Sequence, residues 1–209
     1  KTTHCDYLSA KIKILSFFAY ISRGFIAAVR QSANDIPGIV MELLKETPGE
    51  IPSARKELLV AIRHILSTEI RVCFVPFLGA FLDERLLLGD GWTCQVFFRP
   101  LAYSLLADLI HHVRLELAQK HLVQIINLYC RLLTDPSLPA GIQTMSAKLL
   151  LNLIDPVMGE RVERPLRKIL LNKILSALLF RATCLARLVV SDAYCNNTNT
   201  TSVVCPFYA

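Results

Sequence analysis

Two clusters and one set of basic positions hold most of the residues in this chain that could do chemistry. His111-His112, with Glu116 one turn beyond His112, comes nearest to a metal-binding spacing. A site needs a third ligand, and His121 follows only after an expected helix break. His64 and His112 fall instead at equivalent places late in their helices, where an imidazole can meet terminal carbonyls and the helix dipole. Asp83-Glu84 with Asp90 could form a carboxylate cluster for acid–base work. No His, Ser or Cys stands at a recognisable spacing from it, and loop carboxylates are normally solvated. GxxxxGK[ST], GxGxxG and GxSxG are all absent from the sequence. The expectation is a chain with no catalytic residue, no metal and no cofactor, and with no small-molecule substrate.

The basic residues point to contacts rather than to chemistry. Of the net charge of +6, residues 1–159 account for +2 and residues 160–209 for +4. A nucleic-acid binder usually carries a basic stripe across its whole working face, so direct nucleic-acid binding is not expected. Arg55, Lys56 and Arg63 are expected to project away from the apolar face of their helix. Arg167 and Lys168 lie on a basic amphipathic stretch, Arg161–Arg187. These five are the surface candidates for partner binding.

Composition narrows the class further. The chain has 209 residues, 53% apolar and 19% charged, which excludes a disordered polypeptide. The longest stretch free of Asp, Glu, Lys and Arg is Ala193–Ala209, rich in Asn and Thr, so no spanning helix and no membrane contact are expected. Seven cysteines with no CxxC pair, three of them (Cys73, Cys130, Cys184) inside apolar helical patterns, favour a reducing compartment. Glycosylation sequons at Asn196 and Asn199 argue weakly the other way. The chain does not start with Met, which suggests an excerpt of something longer.

Helical periodicity runs from end to end. It predicts helices over Tyr7–Gln31, Ile36–Lys45, a segment capped by Ser53, Pro76–Leu82, Trp92–Glu116 with a kink at Pro100, Lys120–Leu133, Pro139–Ile154 and Arg164–Val190. Asp83–Gly91 reads as a loop with a tight turn at Gly89-Asp90-Gly91. A shift of 48 residues superimposes Pro52 on Pro100, Ala54 on Ala102, Leu58 on Leu106 and Ile62 on Ile110. A further shift of 43 places Met145, Leu149 and Leu153 on Ala102, Leu106 and Ile110. Both shifts fit the roughly 40–47-residue units of HEAT and armadillo arrays. The fold class is therefore all-α, a HEAT/armadillo-like α-solenoid of stacked antiparallel helix pairs, with a closed helical bundle as the alternative. Residues 1–155 read as HEAT-like repeats, 156–190 as a basic amphipathic helix that could form a further repeat, and 191–209 as a loose or non-native tail.

Three stretches carry more than generic helical pattern. They are Arg55-Lys56-Glu57-Leu58-Leu59-Val60-Ala61-Ile62-Arg63-His64-Ile65-Leu66, the run from Arg99-Pro100-Leu101-Ala102-Tyr103-Ser104 to His111-His112-Val113-Arg114, and Ser137-Leu138-Pro139 followed by Ile142-Gln143-Thr144-Met145-Ser146 and Lys148-Leu149-Leu150-Leu151-Asn152-Leu153. In order and spacing they resemble the HEAT region of the transformation/transcription domain-associated protein (TRRAP) family. Lys13-Ile14-Leu15-Ser16-Phe17 with Ala19-Tyr20 fits slightly upstream. The resemblance covers about residues 10–155, with Phe98 as a departure where Leu is expected, and it does not extend to 156–209.

Members of that family are giant pseudokinases of the phosphatidylinositol-3-kinase-related group. The resemblance implies a non-catalytic, nuclear scaffold segment of a transcription co-activator. It would sit in histone acetyltransferase assemblies of the SAGA and Tip60-type kinds and dock transcription activators and complex subunits. The alternative is another helical-repeat adaptor or transport receptor that binds acidic partners through Arg161–Arg187.

Overall fold

The computed structural model describes residues 2–30, 33–47 and 51–197. Among these residues there is no strand. The helices are α1 (Thr2–Gly24), α2 (Ile26–Val29), α3 (Ile36–Glu46), α4 (Pro52–Leu66), α5 (Leu78–Phe81), α6 (Glu84–Leu88), α7 (Trp92–Val113), α8 (Gln119–Thr134), α9 (Ala140–Asn152), α10 (Ile154–Met158) and α11 (Arg164–Asn197). A 3₁₀ helix spans Glu69–Phe77, and a 3₁₀ turn at Arg114–Glu116 follows α7.

The sequence makes α4 the centre of the array. Leu58, Leu59, Ala61, Ile62, Ile65 and Leu66 are all buried, a stripe too wide for one neighbour. Helix α4 accordingly packs on α1, α3 and α7. α1 meets it with Leu8, Ile12, Leu15 and Ala19, buried at three- and four-residue spacing. α7 packs in turn on α9, so α1, α4, α7 and α9 form one row. On the other side α3 touches the 3₁₀ helix and α6, while α8 packs on both α9 and α11. The repeat alignment holds in the core: Leu58, Leu106, Ile62, Ile110 and Leu153 are fully buried, Leu149 nearly so and Met145 partly.

Several boundaries differ from the sequence expectation, each for a local reason. The first helix breaks after Gly24 rather than running to Gln31, which lies outside the described residues. Helix α4 starts at Pro52, whose missing N–H costs nothing in the first turn, so Ser53 sits inside that turn and does not cap it. The expected Asp83–Gly91 loop contains α6, because the Asp83 side chain accepts from the Arg85 N–H at 3.0 Å and caps a short helix. Gly89 and Gly91 end it with φ of +83° and +94°, as a tight turn there requires. Pro100 lies inside α7, which continues through it. Helix α11 extends to Asn197, so residues 191–197 are helical rather than a loose tail, and 198–209 lie outside the described residues.

Helix α11 corrects two further expectations. Leu170 and Ile174 of its expected apolar face are buried, but Ile169 and Leu179 are exposed, together with Leu175, Phe180, Leu188 and Val189. The helix leans mainly on α8, with lesser contacts to α9 and α10, and leaves these apolar side chains bare. By length and composition alone, Arg164–Val189 is also long and apolar enough to cross a membrane. Charge spacing hid this, because Arg181 and Arg187 interrupt residues 174–189 without lowering the average enough.

Arg55 is the largest departure. Expected on the surface, it is 2% exposed. Its Nη2 donates to the carbonyls of Leu44 (2.9 Å) and Thr47 (3.1 Å) at the end of α3, and its Nη1 to that of Leu86 in α6 (3.1 Å). A helix leaves its last carbonyls unpaired, and here a guanidinium from the next helix satisfies them. Gly89 lies against the same group: a Cβ at that position would sit 3.0 Å from Arg55 Nη2. Arg55→Ala should therefore destabilise the fold by about 2–4 kcal/mol, since it strands buried carbonyls. Lys56→Ala should change stability by no more than about 0.5 kcal/mol. Denaturant melts of the two variants check the contrast.

Candidate functional site: a basic groove between successive helix pairs

The remaining basic candidates lie in three different settings. Lys56 is exposed and lines a shallow groove of about 480 Å³ with Pro52, Ser53, Val60, Phe98 and Leu101. Arg167 is half-buried and donates to the carbonyls of Gly159 (2.9 Å) and Val162 (3.1 Å), so it pins the turn that leads into α11. Lys168 is exposed on α11. Arg63 belongs to a groove where two arginines, two histidines, a serine and an aspartate converge.

That place is a groove of about 410 Å³ at the C-terminal ends of α1 and α4, closed on one side by α7. Arg23, Arg63, His64, Ser67, Asp108 and His112 line it, with the buried Leu66 and Leu105 behind them. Arg23 Nη2 lies 2.8 Å from His64 Nδ1 and 3.2 Å from Ser67 Oγ. A guanidinium can only donate, so His64 Nδ1 is an acceptor and its ring is neutral in this arrangement. Tyr20 leans over the same imidazole, with ring centroids 6.0 Å apart. Arg63 pairs with Asp108 at 3.5 Å, between partly exposed side chains. His112 behaves as the sequence predicts: its Nδ1 meets the Asp108 carbonyl one turn back, at 2.6 Å. His64 does not, because Arg23 from the preceding helix pair reaches it first.

The other candidate chemistry disperses. The His111 and His112 rings meet edge to face, and His111 Nδ1 lies 3.3 Å from Asn152 Nδ2. Among the described residues no group of three His, Cys, Asp or Glu could hold a metal ion. Asp83 caps α6, and Glu84 is engaged by Tyr103 and Arg131. Burial and that carboxylate push the Tyr103 hydroxyl up to about 12, which keeps it a neutral donor. Asp135 is held below the usual carboxylate range by hydrogen bonds from Ser137 and by Arg99, 2.6 Å away. These groups are engaged in bonds between elements.

Sequence reasoning missed Arg23, Ser67 and Asp108. The repeat period was the available signal, since side chains one period apart should face each other across adjacent helix pairs. It could not choose among Ser22, Arg23 and Gly24, which differ by about 100° around the helix.

Many of the polar bridges between helix pairs span roughly one repeat. Lys11–Glu46, Arg23–Ser67, Arg30–Glu69, Arg99–Asp135, His111–Asn152 and Arg161 to the Leu115 carbonyl span 35 to 46 residues. Helix pairs stacked in a row and laced at one repeat length define a HEAT-type helical-repeat protein. The profile described as the Tra1 HEAT repeat central region matches residues 3–202. The chain belongs to this family.

Among curated relatives, it is 45% identical over 155 residues to the human transformation/transcription domain-associated protein, covering 74% of this chain and 4% of that protein. It is 44% identical over 167 residues to the SAGA complex/NuA4 acetyltransferase complex subunit TRA1 of Saccharomyces cerevisiae, covering 79% of this chain and 4% of that one. Transcription-associated protein 1 of Drosophila melanogaster is 42% identical over 189 residues, 90% of this chain and 5% of its own length. The chain thus spans about one twenty-fifth of the first relatives it matches. The profile also passes well beyond Asp155, where the residue resemblance stops, so α10 and the whole of α11 fall within the family's pattern.

The His64 environment sets a pH dependence. Partial burial and the charges of Arg23 and Arg63 lower its pKa, and burial with Lys120 lowers that of His121. A histidine depressed in the folded state binds its proton more readily when unfolded. Its stabilisation is therefore full above about pH 6.5 and is lost as pH falls through the lowered folded value. Melts taken from pH 7.5 down to 5.5 should show falling stability. His64→Gln should flatten part of that slope and leave the His121 share.

Proposed function

We propose that this chain is a non-catalytic scaffold segment of a transcription co-activator that works in the nucleus within histone acetyltransferase complexes of the SAGA and NuA4/Tip60 kind. The observation that carries the reading is the family match over residues 3–202 on a stack of helix pairs whose titratable groups bond between elements. Relatives bearing the name of a SAGA and NuA4 complex subunit support the setting. Docking of transcription activators and complex subunits on exposed grooves, Arg63 and Lys56 included, follows from the same reading. So does assignment of α10 and α11 as a further repeat rather than a separate tail. The rival transport receptor finds no support in the family match.

In a solenoid each helix pair contacts only its neighbours, so removing one interface weakens the stack locally and spoils the surfaces on either side. Leu106 and Leu149 sit in such interfaces, and Leu→Ala at a buried site costs about 2–5 kcal/mol. Purification of the parent polypeptide carrying both substitutions should recover less of its acetyltransferase partners than the unaltered protein. A turnover activity of the chain, abolished by His112→Ala or Asp83→Ala with an unchanged melt, would contradict a non-catalytic role.

A further inference from the structure

We propose that this chain associates head to tail: α11 of one copy lies in the apolar groove between α1 and α3 of the next, so that each junction completes a helix pair that neither end holds alone. The proposal goes beyond the scaffold reading and does not depend on it.

The two ends of the array are open in complementary ways. The row α1, α4, α7, α9 runs beside a second row of α3, the 3₁₀ helix with α6, α8 and α11. Among the described residues α8 pairs closely with α9, whereas α11, last in its row, has no helix across from it in the same way. Helix α1, first in the other row, meets α3 only slightly. One end thus lacks a helix in the first row, and the other end lacks one in the second. Stacking a second copy in continuation of the rows puts its α1 across from α11, and α11 ahead of its α3. Repeat arrays stay unassociated when their outermost repeats carry a polar outer face, and these two faces are apolar. In a longer array the neighbouring pairs take the same two places, so the chain by itself offers them to its own copy.

The sequence supplies matching seams. Leu8, Ile12, Leu15 and Ala19 of α1 are buried toward α4, and a second stripe lies beside them. In it Tyr7, Ala10, Ile14 and Phe17 are exposed and Ile21 is half-buried. Leu170 and Ile174 of α11 are buried, and Leu175, Leu179, Ala182, Ala186 and Val189 form an exposed stripe on another side. Both stripes step alternately by three and four residues, over 7–21 and 175–189, which is the spacing of a helix–helix seam. The alanines leave space for the large side chains opposite, as ridge-into-groove packing needs. The receiving groove holds about 520 Å³, walled by Ile14, Leu15, Phe18, Ile36, Ile39 and Leu43.

Charge and size agree with that occupant. Residues 164–189 carry six basic and no acidic side chains. At the receiving groove Glu42 and Glu46 share one ammonium, that of Lys11, at 3.8 and 3.4 Å, which leaves one carboxylate over for a basic helix. At about 1.5 Å per residue α1 and residues 164–189 are each roughly 35–40 Å long, and a helix face about 10 Å wide over that length gives about half of the ~800 Å² per partner of a specific interface. Ile39 of α3 and Leu151 of α9, both exposed, extend the contact on either side. A bilayer would also accept an apolar helix, but α11 is tied to the stack: Lys173 bonds Asn127 of α8, and Arg181 bonds Gln143 of α9. The contact joins two different faces and does not close on itself, so association is open-ended.

The test is sedimentation velocity of the complete chain over about 1–100 μM, the range of a modest interface. The mean mass should rise steadily with concentration and pass that of a dimer. Phe17→Asp and Leu179→Asp, at positions 65% and 58% exposed, should leave the melt unchanged. Each places a charge in the apolar seam and should weaken association at least about tenfold. An equimolar mixture of the two variants should form a pair of twice the mass of one chain and stop there, because each supplies the end the other lacks. That pairing also shows that both variants fold. A chain that stays monomeric over the whole range would overturn the proposal. So would a dimer that survives Phe17→Asp and is lost with Leu179→Asp, since that means α11 packed on α11. Flotation of the chain with phosphatidylcholine–phosphatidylserine vesicles, lost with Leu179→Asp, would give α11 to a membrane and overturn it too. The scaffold reading is decided separately, by recovery of acetyltransferase partners.

Discussion

One guanidinium closes the corner on which the first half of this chain depends. Arg55 leaves α4, enters the space between α3 and α6, and donates to carbonyls of Leu44, Thr47 and Leu86. Each carbonyl lies in the last turn of its helix or at its C-cap, where the intrahelical ladder supplies no donor. Without a donor at that point, the α3 terminus and the α6 turn would each bury polar backbone unpaired, which folded proteins avoid. The geometry in turn dictates Gly89, because a Cβ there would press on the guanidinium and the backbone already sits at positive φ. Once α3 and α6 are fixed, α4 can present its wide apolar stripe to α1 on one side and α7 on the other.

The grooves follow from the same arrangement. Helices in a row touch through their apolar stripes, and the polar residues that flank those stripes meet across the seam at a distance of one repeat. Arg30 with Glu69, Arg63 with Asp108 and Arg99 with Asp135 are such meetings. Where the register supplies a carboxylate for each cation, the seam is closed electrostatically. At the end of α1 it supplies His64 and Ser67 instead, and the Arg23 guanidinium bridges to both across a groove.

Much of the fold was legible in the sequence because it is written in apolar periodicity, which governs burial. Leu58, Ile62, Leu106 and Ile110 occupy equivalent buried positions, as the 48-residue shift required. The family was legible too, through polar residues such as Gln143 and Asn152, which that periodicity does not demand. Gln143 donates to the Asp135 carbonyl and bonds Arg181, and Asn152 reaches His111. The site was less legible. Arg55 and Lys56 are neighbours in the sequence, yet one is buried and the other exposed. A charged side chain reads as surface until the carbonyls that need it are known, and those lie 8 to 31 residues away. The short α6 escaped notice for a similar reason: five residues are too few to show a period, and only its Asp83 cap marks it.

The central claim is that the chain is a row of locally coupled helix pairs, each groove held by its own neighbours. Amide hydrogen exchange on Arg55→Ala, compared with the unaltered chain, tests it most directly. In a quasi-one-dimensional stack the loss should be greatest in α3, α4 and α6, smaller in α1 and α7, and negligible in α8, α9 and α11. A uniform loss of protection over all these helices would contradict the account, because it would mean a single cooperative bundle. Unchanged protection in α3 and α6 would contradict it as well, by showing that the buried guanidinium holds nothing together.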